Sequence, residues 1–123
     1  MTTPTIWIIV SDLFFLSKLR TSLEAQGCAV KVSPNPEALL AAPQANPDLM
    51  ILDLGLGGTP PAEHIKKLRE SGHLNLPVLA YTNHARIPQW TEKIKDARTK
   101  VVSNSYISEN IKNVVGLIDL FKT

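Results

Sequence analysis

The sequence predicts an α/β domain built on an open, doubly wound parallel sheet of five strands with helices on both faces. Short apolar runs alternate five times with segments of helical periodicity. The runs are continuously apolar rather than alternating, as in strands buried on both faces. No linker or low-complexity tract interrupts the pattern, and 123 residues give one core, so residues 1–123 are expected to form a single domain.

Each element follows from its residues. Ile6 to Val10 is a β-branched run and the first strand. Leu13 to Gln26 reads as a helix, with Phe15, Leu16, Leu19 and Leu23 at helical spacing and Gly27 as its stop. Cys28 to Val32 is a weaker second strand. Asn35-Pro36 opens a helix through Leu39 and Leu40 that should end before Pro43. Leu49 to Leu52 is the third strand, ending at Asp53. Thr59-Pro60 opens the next helix, with Ile65 and Leu68 inward and Gly72 closing it. Pro77 to Tyr81 is the fourth strand, Pro88 starts a helix with Trp90 and Ile94, and Lys100 to Ser103 is the fifth strand. Ser108 is expected to cap a last helix, with Ile111, Val114, Val115, Ile118 and Phe121 on one side.

Composition excludes several classes. Hydrophobic residues make up 44% of the chain and charged residues 20%, which rules out a disordered chain. The net charge of +2 comes from scattered basic residues. Lys66, Lys67 and Arg69 read as a solvated helix face rather than a nucleic-acid stripe. Cys28 stands alone, so no internal disulfide forms, and a buried free thiol in a reducing compartment is expected. His64, His73 and His84 show no metal-ligand spacing and read as surface residues. Ile6 to Val10 is too short to span a membrane, and Met1 to Thr5 carries no basic secretory segment. A cytoplasmic location is the expectation.

In open α/β sheets, sites form beyond the carboxyl ends of the strands, near the switch in strand order. Ser11 and Asp12 follow the first strand. Asp53 ends the third and leads into Leu54-Gly55-Leu56-Gly57-Gly58. Thr82 and Asn83 follow the fourth, and Asn104, Ser105 and Tyr106 the fifth. Singly these residues signify little. Ser11-Asp12 suits a helix cap, the glycines suit a turn, and Trp90 and Tyr106 suit packing. What carries weight is that Asp12, Asp53 and Thr82 follow the first, third and fourth strands of one sheet.

With these residues the whole chain resembles the receiver domain of bacterial response regulators, the chemotaxis-regulator type. The resemblance implies a flavodoxin-like strand order of 2-1-3-4-5. It also implies phosphoryl transfer to Asp53 from a histidine kinase or a small donor, with magnesium in the pocket. Thr82 falls on the family's hydroxyl position and Tyr106 on its aromatic switch position. The match is partial. Ser11 stands where the first of two acids is usual, Asn104 where a lysine is usual, and Gly57 where proline is common. Lys100 lies four residues before Asn104, about 13 Å along a strand, too far to replace the lysine.

These departures shape the expected chemistry. Asp12, Asp53 and the Gly55 carbonyl can supply part of an oxygen set for magnesium, so a weak site is expected. A phosphoryl group would add a charge of roughly −1.5 to −2, and Asn104 offers a hydrogen bond but no countercharge. Three acids and one lysine sum to −2, as do two acids and no lysine. The joint loss therefore reads as a pocket that stays foldable while giving up catalytic parts. The expected function is a degenerate receiver, not an enzyme, acting by protein–protein interaction. The alternative is a working phosphoacceptor on Asp53, at most autocatalytic. The expected partner is a histidine kinase or a downstream signalling protein, docked on the face of Trp90, Tyr106 and the last helix. A flavodoxin-type flavin site needs a small, glycine-bearing loop after the first strand, and Ser11 to Phe15 is bulky. A nucleophilic hydrolase lacks a Ser or Cys beside a His base.

Overall fold

The apolar runs form strands β1 (Thr5–Ile9), β2 (Ala29–Val32), β3 (Leu49–Asp53), β4 (Val78–Thr82) and β5 (Thr99–Ser103) in the computed structural model, which describes residues 4–33, 47–55 and 60–121. All four strand pairs are parallel, and the order is β2-β1-β3-β4-β5. The expected topology is therefore observed. The helix expected after Asn35-Pro36 and the cap expected at Thr59 lie outside the described residues.

Strand periodicity divides the core into two layers. Ile6, Ile8, Leu49, Ile51 and Leu79 face helices α1 (Leu13–Ala25), α4 (Asn104–Asn110) and α5 (Val114–Asp119), where Leu19, Leu23, Ile107, Ile111, Val114 and Leu117 meet them. Trp7, Ile9, Met50, Leu52, Val78 and Ala80 face the other side. There Ile65 and Leu68 of α2 (Pro61–Glu70) and Trp90 of α3 (Ile87–Lys93) pack. Gly27 and Gly72 follow α1 and α2 with φ of 83° and 101°, the left-handed conformation that ends a helix without steric cost.

Three expectations need correction. The helix after β5 begins at Asn104, not near Ser108. The Ser103 hydroxyl accepts the Tyr106 N–H at 3.0 Å, so the cap falls where the strand ends and Ser108 lies inside the helix. A break follows, and Asn113 caps α5 through the Gly116 N–H. This restart turns Val115 outward, while Leu117 joins Val114 and Phe121 in the core. His64 is buried on α2 rather than exposed. Cys28 is buried as expected, and burial raises its thiol pKa.

One polar clamp joins the second layer to the sheet. Arg69 of α2 donates from Nε and Nη2 to the two oxygens of Asp96, at 3.1 and 2.7 Å. It also donates to the carbonyls of His73 and Leu76, while the Thr99 hydroxyl donates to Asp96 at 2.7 Å. Among the described residues no helix is long and apolar enough to cross a membrane.

Candidate functional site

The carboxyl ends of the strands surround a cleft of about 360 Å³. Asp12, Asp53, Gly55, Tyr81, Thr82, Arg86, Trp90 and Asn104 all line it. The sheet thus brings together residues that the sequence places far apart.

Asp53 closes β3 and points to the α1 side, following Leu49 and Ile51 at strand period. The carboxylate is well supplied with donors. The Ser11 hydroxyl donates to Oδ2 at 3.0 Å, and the Ser11 N–H approaches the same oxygen at 3.5 Å. The Gly55 N–H donates to Oδ1 at 2.7 Å. Glycine eases that approach, because a Cβ there would stand 3.1 Å from the same oxygen and press the carboxylate back by a few tenths of an ångström. Ser11, expected as a missing acid, is therefore a neutral partner of Asp53.

Tyr81 is a further partner that sequence reasoning missed. It pairs in register with Asp53 on the neighbouring strand, so both side chains rise on one face. Its ring lies 5.0 Å from that of Phe15. Burial above all, then the Asp53 charge, a hydrogen bond to Asp53 and the Asp12 charge, raise the Tyr81 hydroxyl pKa far above its ordinary value. The signal was present in sequence, since Tyr81 immediately precedes Thr82, but only the β3–β4 register shows which residue it faces.

Asp12 both lines the cleft and caps α1. Its Oδ1 accepts the N–H groups of Phe14 at 2.9 Å and Phe15 at 3.2 Å. The cap and the pocket are thus one residue, with one oxygen already engaged. Thr82 ends β4 in a buried position, and Asn83 caps the following 3₁₀ turn by accepting the Ala85 N–H at 2.9 Å. That turn carries Arg86 onto the cleft wall, a cation that the sequence pattern does not single out. Counting it, the lining charge is −1 rather than −2: Asp12 and Asp53 against Arg86.

The remaining residues separate. Asn104 opens α4 at the rim. Lys100 sits with Nζ 5.7 Å from the Phe121 ring centroid, outside the cleft lining. Trp90 packs on the α2–α3 side, with Lys93 Nζ 5.1 Å from its ring, and Tyr106 packs half-buried on the α1 side. The two aromatic residues therefore belong to opposite layers.

The donor set suits a hard cation only in part. Magnesium is commonly held by one or two carboxylates with water and phosphate. Asp12 and Asp53 meet that count, but both already accept hydrogen bonds. Among the described residues no group of three His, Cys, Asp or Glu side chains could hold a metal ion.

The model of the response regulator receiver domain matches residues 6–115. The chain belongs to that family. Receiver domains are signalling modules of two-component systems, contacting kinases or effector domains and typically binding magnesium at the acidic pocket. Solved structures share the fold. A chemotaxis response regulator of Vibrio cholerae is 16% identical with a TM-score of 0.74, over 95% of this chain and 99% of that one. The receiver domain of a Francisella response regulator is 14% identical with a TM-score of 0.70, over 98% and 100%. The phosphorylated response regulator RcpA of a cyanobacterial phytochrome is 14% identical with a TM-score of 0.72, over 98% and 94%. No curated protein matches the chain.

Proposed function

We propose that this receiver domain signals by protein–protein contact with its phosphoacceptor chemistry reduced. The donor shell of Asp53 carries the reading. The Ser11 hydroxyl and the Gly55 N–H hold the two carboxylate oxygens at 3.0 and 2.7 Å, and the buried Tyr81 stands opposite Asp53 in the strand register. Such donors stabilise the carboxylate without a metal and lower its tendency to attack phosphorus. Magnesium, when bound, would neutralise charge at the phosphoryl group. Asp12, Asp53 and the Gly55 carbonyl would hold it weakly, because Ser11 contributes no charge. Asn104 would give a phosphoryl oxygen a hydrogen bond without a countercharge.

The second reading is a working phosphoacceptor, and Arg86 favours it by placing a guanidinium on the cleft wall. Asp53→Asn separates the two. The swap keeps the size of the side chain and removes the nucleophile. Under the first reading partner capture in cells is nearly unchanged. Loss of capture in Asp53→Asn, with circular dichroism unchanged, supports the working phosphoacceptor and overturns the degenerate reading. Treating the wild-type chain with a small phosphodonor and magnesium supplies the direct check. A stoichiometric mass gain on Asp53 would likewise overturn the degenerate reading.

A further inference from the structure

Arg86 shares the cleft with Asp12 and Asp53, and among the described residues its guanidinium pairs with no acid. Opposite charges in one cleft attract, so something holds them apart. The turn that carries Arg86 is fixed by the Asn83 side chain, which accepts the Ala85 N–H at 2.9 Å, and by Pro88 in the first turn of α3. The charges therefore stand unneutralised around a space of about 360 Å³. Both carboxylates keep acceptor capacity, since each offers about four lone-pair sites. Asp12 takes two N–H groups on Oδ1, and its Oδ2 takes none among the described residues. Asp53 takes the hydroxyl and N–H of Ser11 and the Gly55 N–H. Unused donors line the same cleft. Thr82 is only 8% exposed, yet among the described residues its hydroxyl makes no hydrogen bond, and neither does the Asn104 amide. A polar group so deeply buried is ordinarily partnered.

We propose that the cleft binds a small zwitterion, a free amino acid with an apolar side chain. Its ammonium group would lie on Asp12 and Asp53, and its carboxylate on Arg86, Thr82 and Asn104. Its side chain would rest against Phe15 and Trp90, which give the cleft apolar walls. Charge singles out this class. A free anion would meet Arg86 but also two carboxylates. A simple cation would meet the carboxylates, face Arg86 as a like charge, and leave the Thr82 hydroxyl without an acceptor. A ligand carrying both charges satisfies both sets. Size agrees, since ligand pockets run from roughly 300 to 1,000 Å³ and this cleft stands near the lower bound. Binding is non-covalent, and no bond to Asp53 forms. The inference rests on the reading of Asp53 as held back from phosphoryl transfer, and it names a ligand for the same site.

The test titrates the intact chain, in chelator, with leucine and phenylalanine, each also as its amide and as its N-acetyl form, and with inorganic phosphate. Calorimetry and amide-shift mapping read the binding. At least one free amino acid is expected to bind with a dissociation constant of about 1 mM or tighter and to shift amides at the ends of β3 and β4. The amide lacks the carboxylate and the N-acetyl form lacks the ammonium group, so each should bind about tenfold more weakly, or worse. Arg86→Gln should erase the preference for the carboxylate, so that the amino acid and its amide bind alike. Because Arg86 is exposed, that variant keeps its core. Absence of binding by both amino acids, equal binding of the three forms to wild type, or unchanged affinity in Arg86→Gln would overturn the inference. So would phosphate that binds more tightly than either amino acid, since the cleft would then be an anion site. Treatment with a small phosphodonor and magnesium keeps the two readings apart. Amino-acid binding by the untreated chain, together with a phosphoryl mass gain on Asp53, upholds the site and overturns the degenerate reading. Neither binding nor mass gain overturns the site and upholds the degenerate reading.

Discussion

Replacing Ser11 with aspartate is expected to destabilise the chain unless a cation is supplied. The Ser11 hydroxyl lies 3.0 Å from Asp53 Oδ2, so an aspartate there sets a second carboxylate against the first. Two unit charges ~4 Å apart repel by about 1 kcal/mol in water and about 4 kcal/mol at an effective dielectric of ~20. Asp53 is half-buried and Ser11 exposed, so an intermediate value of about 2 kcal/mol applies. The lost hydroxyl bond to a carboxylate adds about 1 kcal/mol. The sum of about 3 kcal/mol lowers Tm by ~10 °C for a chain of this size. Asn104→Lys, placed at the cleft rim, should return part of that loss, and millimolar magnesium should return more. The assay is thermal unfolding of wild type, both single variants and the pair, with and without magnesium. The pair should also accept a phosphoryl group from a small donor faster than either single variant. Additive single effects, or Ser11→Asp with unchanged Tm in chelator, would refute the account of coupled charges.

Three further outcomes follow from the same structure. Arg69 first, then the Thr99 hydroxyl and further Arg69 and backbone contacts, outweigh burial and hold the Asp96 carboxyl below its ordinary value. This contribution is present above the unfolded pKa of about 3.9 and is lost as pH falls through the lower folded value. Arg69→Met should therefore flatten the acid limb of a urea-unfolding series against pH. Tyr81 is raised, so the unfolded chain loses its phenolic proton first and stability falls from about pH 10 upward. In Tyr106→Phe, where Tyr81 is the only tyrosine left, absorbance near 295 nm should stay flat until the chain unfolds. Cys28 is buried, so an aromatic disulfide reagent should label the native chain slowly and the urea-unfolded chain at once.

The sequence by itself determined the architecture, because its signals are local. A run such as Ile6-Trp7-Ile8-Ile9 is short, β-branched and apolar at every position, which suits a strand buried on both faces, and five such runs separated by crossovers leave little but a parallel sheet. Asp53 was legible for the same reason, as the first acid after an apolar strand. The helix start after β5 was not. Ser103, Ser105 and Ser108 are all residues that favour a cap, and the choice fell to Ser103 because strand pairing with Thr82 ends there, so the last extended residue passes directly into the helix with its hydroxyl placed to accept the Tyr106 N–H. The donors on Asp53 were hidden in the same way. Ser11 stands 42 residues before it, and Tyr81 faces it only because β3 and β4 pair in one register, when a shift of one residue would turn Tyr81 to the other layer. Arg86 enters the cleft through the 3₁₀ turn after β4, a local geometry that residue types alone do not specify. Spacing along the chain thus set where an acid could stand, while the pairing of strands set what faces it, because contacts across a sheet depend on register.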